Sequence, residues 1–341
     1  MKLAVLIDRR IPPIIRDTQH PDAMVANGML ADVGVSQTAA YGEPGVSDFE
    51  DWAEAVCRYV AAVRFAARHG LEVVHELVDD ALLLDLRAFM TRRELHEPRP
   101  NIIGAPRATP YGRTAAFAAH AHRPFVVCRN DTDAALPFPT LAEGMRTAQT
   151  WRVSPSHPAD ELVWKQATGP DKAYPVAYLP NNGAMAPDLA FQAYGAGGLS
   201  ILQARVPMGY ETRFFVVDGE IVSGAGAIER FTPFDRSRQE LRGVTHPVFD
   251  HKRNGRNLPD IQWSIADVMD KAAPAIAADF VRDLTIQDFA LDLYMNLATA
   301  KIGVVEVNPI NGSGFYANDG VEVYTRLAEA LLKRVPVATA A

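Results

Sequence analysis

The sequence is poor in cysteine, in lysine and in net positive charge, and each shortage excludes a class of protein. Only Cys57 and Cys128 occur among 341 residues, too few for a disulfide framework or a thiolate zinc site. Both are interpreted as small buried apolar residues. The formal net charge of -7 argues against a dedicated nucleic-acid-binding protein, because such proteins usually carry a basic excess. Lysine is outnumbered by arginine, so the position of each lysine is informative.

Long apolar runs are also missing. No run approaches the ~20 residues that a membrane-spanning helix requires, and the apolar start, Met1–Asp8, is too short for a signal peptide. We therefore expect a cytoplasmic protein without membrane contact. The composition, 48% hydrophobic and 22% charged, is typical of globular proteins, and the length predicts two or three domain-sized units of roughly 100–200 residues.

Strand and helix patterns alternate in the first third of the chain. The apolar start predicts a strand. Ser47–Glu50 is a capping box, which predicts a helix that ends at Gly70. A strand over 71–75, a helix over 79–94 and a short strand over 99–104 are expected to follow. This alternation predicts an α/β domain with a parallel sheet over residues 1–118.

Short strands replace this pattern from Arg123 onward. Strands are predicted over 124–129, 161–165 and 199–206, and Asp218-Gly219 between two apolar runs predicts a hairpin with a two-residue turn. A helix is expected over 263–283, where Pro274 should kink or split it, and a closing helix over 319–334. These elements predict an α+β organisation for the C-terminal part.

An apolar strand near the C-terminus carries an unusual pair of polar residues. In an extended strand, Val304, Glu306 and Asn308 share one face, and burying the last two without partners costs several kcal/mol. Together with Asp292 on the preceding strand they offer the oxygen ligands that Mg²⁺ prefers. The pattern predicts the floor of a nucleotide–metal site. The alternative is a strand end whose polar side chains reach solvent.

Basic residues stand at the ends of two predicted strands and on the hairpin. Lys165 ends one strand before a loop that contains a glycine, and Arg129 ends another; both positions favour a phosphate contact, although a side chain extending into solvent is the alternative. Glu211 and Arg213, two residues apart, share a face of the hairpin, and Arg230 lies beyond it. Arginine forks suit a carboxylate or an acyl phosphate, but a solvated arginine is the alternative.

The order and spacing of these residues resemble the ATP-grasp superfamily of carboxylate–amine ligases over about residues 120–335. In that family two basic residues hold the nucleotide phosphates, a linker strand binds adenine through its backbone, and an arginine contacts the acyl phosphate. An acidic residue and an E-x-N strand bind magnesium. The resemblance therefore assigns Arg129 and Lys165 to the phosphates, Gln203, Ala204, Arg205 and Val206 to the adenine linker, Glu211 to the nucleotide site, Arg213 and Arg230 to catalysis, and Asp292, Glu306 and Asn308 to the metal.

The resemblance also implies a domain division and a reaction. An N-terminal α/β domain, residues 1–118, precedes an ATP-grasp domain, residues 119–335, in which a lid and linker portion (119–206) and a catalytic portion (207–335) clasp ATP. The implied reaction uses ATP and Mg²⁺ to join small-molecule carboxylate and amine substrates through an acyl phosphate, releasing ADP and phosphate. Two alternatives stay open: a kinase of the same fold, and a nucleotide-binding regulatory protein without turnover. A homodimer is compatible with the resemblance but has no signature in the sequence.

The sequence departs from the usual family pattern at two points. The first basic position is an arginine, as in an arginine-to-lysine clade of the superfamily, whose ending resembles Glu306–Pro309 followed by Ser313–Tyr316. The glycine loop after Lys165 is sparse, so the sequence does not identify which loop closes over the phosphates. No residue is assigned as a general base for the amine.

Overall fold

The computed structural model describes twelve parts of the chain. They are residues 4–8, 21–34, 49–76, 111–129, 137–166, 177–182, 199–227, 231–237, 259–284, 286–308, 310 and 313–334. Within these ranges, no helix is both long and apolar enough to cross a membrane.

The N-terminal elements include a parallel strand pair and two helices. They are β1 (Ala4–Asp8), α1 (Pro21–Asp32), α2 (Phe49–His69) and β2 (Glu72–Glu76), and β1 pairs with β2 in parallel. Helix α2 ends before Gly70, whose φ of 62° is the left-handed conformation that favours glycine after a helix. The predicted parallel pairing and the helix that ends at Gly70 are confirmed. The helix expected over 79–94 and the strand over 99–104 lie outside the described residues.

A four-stranded antiparallel sheet follows; its strands in spatial order are Phe125–Arg129, Leu199–Ala204, Glu161–Gln166 and Ala177–Pro180. One of its faces is covered by a helix in a cluster that includes Cys128, Leu162 and Leu202. The elements of this part are a 3-10 turn (Tyr111–Arg113), α3 (Ala115–His120), β3 (Phe125–Arg129), the covering helix α4 (Leu141–Ala148), β4 (Arg152–Ser154), β5 (His157–Pro158), β6 (Glu161–Gln166), β7 (Ala177–Pro180) and β8 (Leu199–Ala204).

The opposite face of this first sheet carries most of its predicted site residues. The register aligns Val127, Ile201 and Lys165 across three strands. Arg129 and Gln203 lie two residues along their own strands from this row, and therefore share its face. The predicted domain boundary at residue 118 falls inside α3; the division into domains stays a prediction.

The second antiparallel sheet has the strand order β10-β9-β11-β12. Its hairpin turns through Asp218 and Gly219, whose φ angles of 53° and 80° are both positive, as the predicted two-residue turn requires. The elements of this part are β9 (Met208–Val217), β10 (Glu220–Gly226), a 3-10 turn (Pro233–Ser237), α5 (Pro259–Leu284), β11 (Phe289–Asn296), β12 (Lys301–Asn308) and α6 (Gly320–Arg334). The α/β N-terminal and α+β C-terminal organisation is confirmed.

Helix α5 runs through Pro274 as a single helix. Of the two predicted effects of the proline, the split does not occur, and the kink stays a prediction. Pro274 lies on the exposed side of α5. The backbone carbonyl group of residue 270, which proline leaves without its usual helical donor, can therefore be solvated by water.

Two apolar clusters fix the second sheet between its neighbours. On one face, Phe215, Val217 and Ala290 pack with α1, α2 and α6. On the other, strands of both sheets pack with α3 and α5. The second sheet is thus held by α1, α2 and α6 on one side and joined to the first sheet on the other.

Candidate nucleotide and metal site

A row of three charged side chains crosses the second sheet. Asp292 of β11 lies directly opposite Arg213 of β9 on one side and Glu306 of β12 on the other, so the three side chains share a face. The row is buried, with 1% of Asp292, 7% of Arg213 and 8% of Glu306 exposed. Buried charges need partners. The contacts that each residue makes within the protein therefore show which of its atoms are already engaged.

Arg213 is fixed by three hydrogen bonds. Its Nε donates to Oδ1 of Asp292 at 2.7 Å and its Nη2 to Oδ2 at 2.6 Å, which is the bidentate geometry that suits arginine. Its Nη1 donates to the carbonyl oxygen of Gly314 at 2.9 Å. Burial lowers the pKa of Arg213, but the Asp292 carboxylate more than offsets this and raises it. The guanidinium therefore stays charged.

Glu306 is held by residues from both sheets. Lys165 Nζ lies 3.4 Å from its Oε2, and Asn308 Nδ2 donates to its Oε1 at 2.7 Å. Lys165 belongs to β6 of the first sheet, and it is buried where it reaches β12. The contact brings a cation and a carboxylate together from positions 141 residues apart.

A β-bulge in β12 alters the predicted alternation of its side chains. Asp292 pairs with Glu306 but Leu293 pairs with Val304, so Val305 is an extra residue without a partner in the register. Val304 consequently packs with Val307 in the apolar cluster that joins the two sheets. The prediction that Val304 shares the face of Glu306 is wrong, because a bulge reverses the alternation locally.

Two backbone carbonyl groups at the bulge accept hydrogen bonds from basic side chains. Lys165 Nζ donates to the carbonyl oxygen of Val305, and Arg123 Nη2 donates to that of Val304 at 3.3 Å. Buried carbonyl groups outside a ladder require such partners. Lys165 thus contacts both the backbone at the bulge and the carboxylate of Glu306 on β12, the edge strand of the second sheet.

Glu211 lies on β9 two residues before Arg213, opposite Tyr294. Burial raises its pKa, and the carboxylates of Asp292 and Glu306 raise it further, to about 7. Near neutral pH this carboxyl is therefore partly protonated, unlike an ordinary glutamate. Glu211 adds a titratable group beside the charged row.

The chemistry of Asp292, Glu306 and Asn308 fits a magnesium ion. No group of three or more His, Cys, Asp or Glu side chains in the described parts of the chain is arranged to hold a metal, so the fit depends on the amide oxygen of Asn308 as the third ligand. A carboxylate offers about four lone-pair sites, and Arg213 occupies two of those on Asp292. Oxygen ligands of this kind are those that Mg²⁺ prefers.

The residues assigned to the adenine linker lie at and just beyond the end of β8. Gln203 is fully buried, and within the described structure neither atom of its side-chain amide has a hydrogen-bond partner. Ala204 and Val206 are buried as well. The side chain of Arg205 is directed away from the charged row, because it pairs with Glu161 of β6 and stacks on Tyr178 of β7.

The remaining predicted residues lie apart from the charged row or outside the description. Arg129 is half-buried at the end of β3, on the face of the first sheet that carries Lys165. Arg230 lies outside the described residues, as do Gly169 and Gly183. The structure thus brings together six of the predicted residues: Glu211, Arg213, Asp292, Glu306, Asn308 and Lys165.

Two residues that the sequence did not indicate also reach the site. The first is Arg123, described above, and the second is Tyr111. Tyr111 is buried, and the Nζ of Lys165 lies 5.8 Å from the centre of the Tyr111 ring. No hydrogen-bond partner of the Tyr111 hydroxyl is found among the described residues. Burial, with Glu306 nearby, raises the pKa of Tyr111 well above its usual value. No local pattern marks either residue, because both act through contacts that only the tertiary fold creates.

Comparisons with known proteins give matches to solved structures. Neither a protein-family model nor a curated protein matches the chain. The chain is similar to the RimK domain protein ATP-grasp from Sphaerobacter thermophilus DSM 20745, with 16% identity and a TM-score of 0.33 over 63% of this chain and 62% of that one. It is similar to the ATP-grasp ligase PsnB complexed with minimal precursor, Mg and ADP, with 13% identity and a TM-score of 0.35 over 64% and 54%.

A third similar structure matches along nearly the whole chain. It is the D-cycloserine synthetase DcsG, with 18% identity and a TM-score of 0.42 over 96% of this chain and 99% of that one. By contrast, the chain spans less than two thirds of the length of the other two proteins. Both of those proteins are described as ATP-grasp proteins.

Proposed function

We propose that the chain is an ATP-dependent carboxylate–amine ligase that forms an amide or peptide bond. The proposal is carried by one observation: Lys165 of the first sheet meets the row Arg213, Asp292 and Glu306 of the second sheet at a buried place. Cations and oxygen ligands so arranged suit nucleotide phosphates and a hard cation. The motif order that resembles ATP-grasp ligases supports the same reaction.

The proposed reaction has two steps. A carboxylate oxygen of the first substrate attacks the γ-phosphorus of ATP, the bond from that phosphorus to the bridging oxygen breaks, and ADP leaves. The amine nitrogen of the second substrate then attacks the acyl carbon. The bond from this carbon to the phosphate oxygen breaks, inorganic phosphate leaves, and the nitrogen loses a proton. Phosphoryl transfer of this kind depends mainly on positioning and on neutralising charge.

Each residue of the site has a task in this scheme. Asp292, Glu306 and Asn308 hold Mg²⁺, which when bound supplies charge neutralisation as a Lewis acid. Lys165 balances the charge of the phosphates. Arg213 has five N–H donors and uses three of them on Asp292 and Gly314. Its further N–H groups are proposed to bind the acyl phosphate.

Several assignments rest on the resemblance alone and are part of the proposal. Arg129 is proposed to contact the phosphates from β3, and Gln203 with the three residues that follow it to bind adenine. Arg230 is proposed as a second arginine at the acyl phosphate, and Glu211 as a neighbour of the nucleotide. The substrates are a small carboxylic acid and an amine in the cytoplasm.

The nucleotide–metal site is tested by calorimetric titration with a non-hydrolysable ATP analogue, with and without Mg²⁺. We expect binding that depends on Mg²⁺ and becomes at least about 10-fold weaker in Glu306→Ala, by analogy with losses at metal sites. Glu220→Ala, an exposed glutamate on the same sheet, serves as the control and should bind like the parent. A folded parent protein that does not bind the analogue would contradict the proposal. Equal binding by the parent and Glu306→Ala would show that Glu306 is not a metal ligand.

The reaction is tested by screening carboxylic acids with hydroxylamine as a general amine. A ligase should release ADP and form a hydroxamate from the acyl phosphate, and an ¹⁸O label in the carboxylate should appear in inorganic phosphate. A stable phosphorylated product with the acid alone would favour the kinase alternative. Binding of nucleotide without turnover across the screen would favour the regulatory alternative.

A further inference from the structure

Helix α2 contains a buried ion pair far from the charged row in sequence. Glu54 Oε2 lies 3.0 Å from Arg58 Nη2, and both side chains are almost completely buried. Arg58 also donates from Nε to the Tyr324 hydroxyl of α6. Removing two charges from water costs several kcal/mol per ion, which their attraction seldom repays in full. We therefore look for a role of this ion pair other than stabilising the fold.

The second carboxylate oxygen of Glu54 contacts the backbone near Arg213. Glu54 Oε1 accepts the backbone N–H of Phe315 at 2.8 Å. The carbonyl group of the same peptide bond belongs to Gly314, and it accepts Nη1 of Arg213 at 2.9 Å. Glu54 and Arg213 thus bind opposite ends of one peptide group. Because this group is planar and rigid, the position of its N–H fixes the direction of its carbonyl.

Other contacts hold the same segment, residues 313–318, around Arg213. Asn318 Nδ2 donates to the carbonyl oxygen of Arg213 at 3.4 Å and to that of Phe315 at 2.9 Å. Tyr316 has a φ of 49°, which is costly for a bulky residue, and its ring lies 5.0 Å from the Arg213 guanidinium. The contacts and the strained backbone of this segment therefore restrict the position of the Arg213 side chain.

We propose that Glu54 is a positioning residue for Arg213, acting through the peptide group between Gly314 and Phe315. Its carboxylate orients the peptide and polarises it, which strengthens the carbonyl group as an acceptor for the guanidinium. Arg213 then keeps its bidentate contact with Asp292 and directs its further N–H groups in a fixed direction. The orientation follows from geometry alone; its effect on catalysis rests on the proposed function.

Two variants separate this role from general stability. Glu54→Gln keeps an oxygen acceptor for the Phe315 N–H but removes the charge. The double variant Glu54→Met/Arg58→Met removes the acceptor while keeping side-chain volume, and it leaves no buried charge unpaired. Glu329→Gln is the control, because Glu329 joins α6 to α2 through a hydrogen bond from Arg68 at 2.7 Å and is not part of the Glu54–Phe315 contact.

The orientation of Arg213 is measured by NMR of protein labelled with ¹⁵N-arginine, following the Nε–Hε signal that Arg213→Lys removes. We expect a slowly exchanging signal in the parent and in Glu329→Gln, a shifted one in Glu54→Gln, and loss of the signal through fast exchange in the double variant. An unchanged signal in the folded double variant would overturn the proposal.

The catalytic consequence is measured by comparing kcat for ADP formation with the affinity for Mg²⁺–nucleotide in each variant. At saturating ATP and acid, we expect kcat for ADP formation to fall about 10- to 100-fold in the double variant, as expected for a group displaced by about 1 Å. Glu54→Gln should restore much of the rate, and Mg²⁺–nucleotide affinity should change much less than kcat in every variant. Equal losses of affinity and rate would overturn the positioning role. If the parent protein binds no nucleotide, the proposed function is contradicted. The NMR comparison would still decide whether Glu54 positions Arg213.

Discussion

At the scale of single residues, the site is a balance of buried charges in which Glu211 is the exception. Arg213 compensates Asp292, and Lys165 with Asn308 compensates Glu306. Burial, together with two neighbouring carboxylates, raises the pKa of Glu211 to about 7. The protein therefore carries a carboxyl group that resists ionisation until neutral pH.

This raised pKa predicts how stability depends on pH in the absence of nucleotide. The unfolded chain ionises Glu211 near pH 4.5, whereas the folded protein does so only near pH 7. Stability due to Glu211 is thus fully present below pH 4.5 and is lost as the pH rises to about 7. Because Glu211→Gln does not ionise, its stability relative to the parent should rise through this window, by up to about 3 kcal/mol.

The measurement is urea unfolding of parent and Glu211→Gln at several values between pH 4.5 and pH 8. The matched control is Glu220→Gln, which changes an exposed carboxylate on the same hairpin. A difference between Glu211→Gln and the parent that is independent of pH would contradict the raised pKa, whatever its size.

At the scale of elements, the sequence predicted what local patterns determine. Asp218-Gly219 predicted the hairpin turn, because only a few residue pairs adopt two positive φ angles readily. The helix that ends at Gly70 was predicted for a similar reason. The bulge at Val305 was not, since an extra residue in a strand leaves no mark in an apolar run. The pairing of Arg213 with Asp292 was also missed, because it depends on the register between distant strands.

The 3-10 turn before α3 gives a prediction at this scale. Gly112 packs so closely on β8 that an added Cβ atom would lie 2.4 Å from Cδ1 of Ile201. Gly112→Ala should therefore destabilise the protein by about 1–3 kcal/mol, as overpacking usually does. It should also displace Tyr111 from Lys165.

Ile201→Val provides a partly compensating change, because it removes the Cδ1 atom but keeps Cγ1, which would lie 2.8 Å from the added Cβ. The double variant Gly112→Ala/Ile201→Val should be more stable than the sum of the two single effects predicts, by denaturant unfolding. Strictly additive effects would show that the turn does not rest on Ile201. A loss confined to Gly112→Ala and relieved in the pair would establish the contact.

At the scale of the whole molecule, the two sheets meet where the site lies. Lys165 and Arg123 reach the bulged carbonyl groups of β12, and an apolar cluster shared by both sheets lies beside these contacts. The groups proposed to bind phosphate and metal thus come from two separate sheets. A ligand that bridges them should stabilise both sheets at once.

Hydrogen exchange followed by mass spectrometry tests this coupling. A non-hydrolysable ATP analogue with Mg²⁺ should slow exchange in β6 of the first sheet together with β11 and β12 of the second, because local opening of either sheet would break contacts to the same ligand. The β4–β5 ribbon, which contributes no residue to the site, should be unaffected. Glu306→Ala should remove the protection from both sheets. Protection of one sheet alone would mean that the nucleotide does not bridge Lys165 and the acidic row, and the site would then have to be divided between two separate functions.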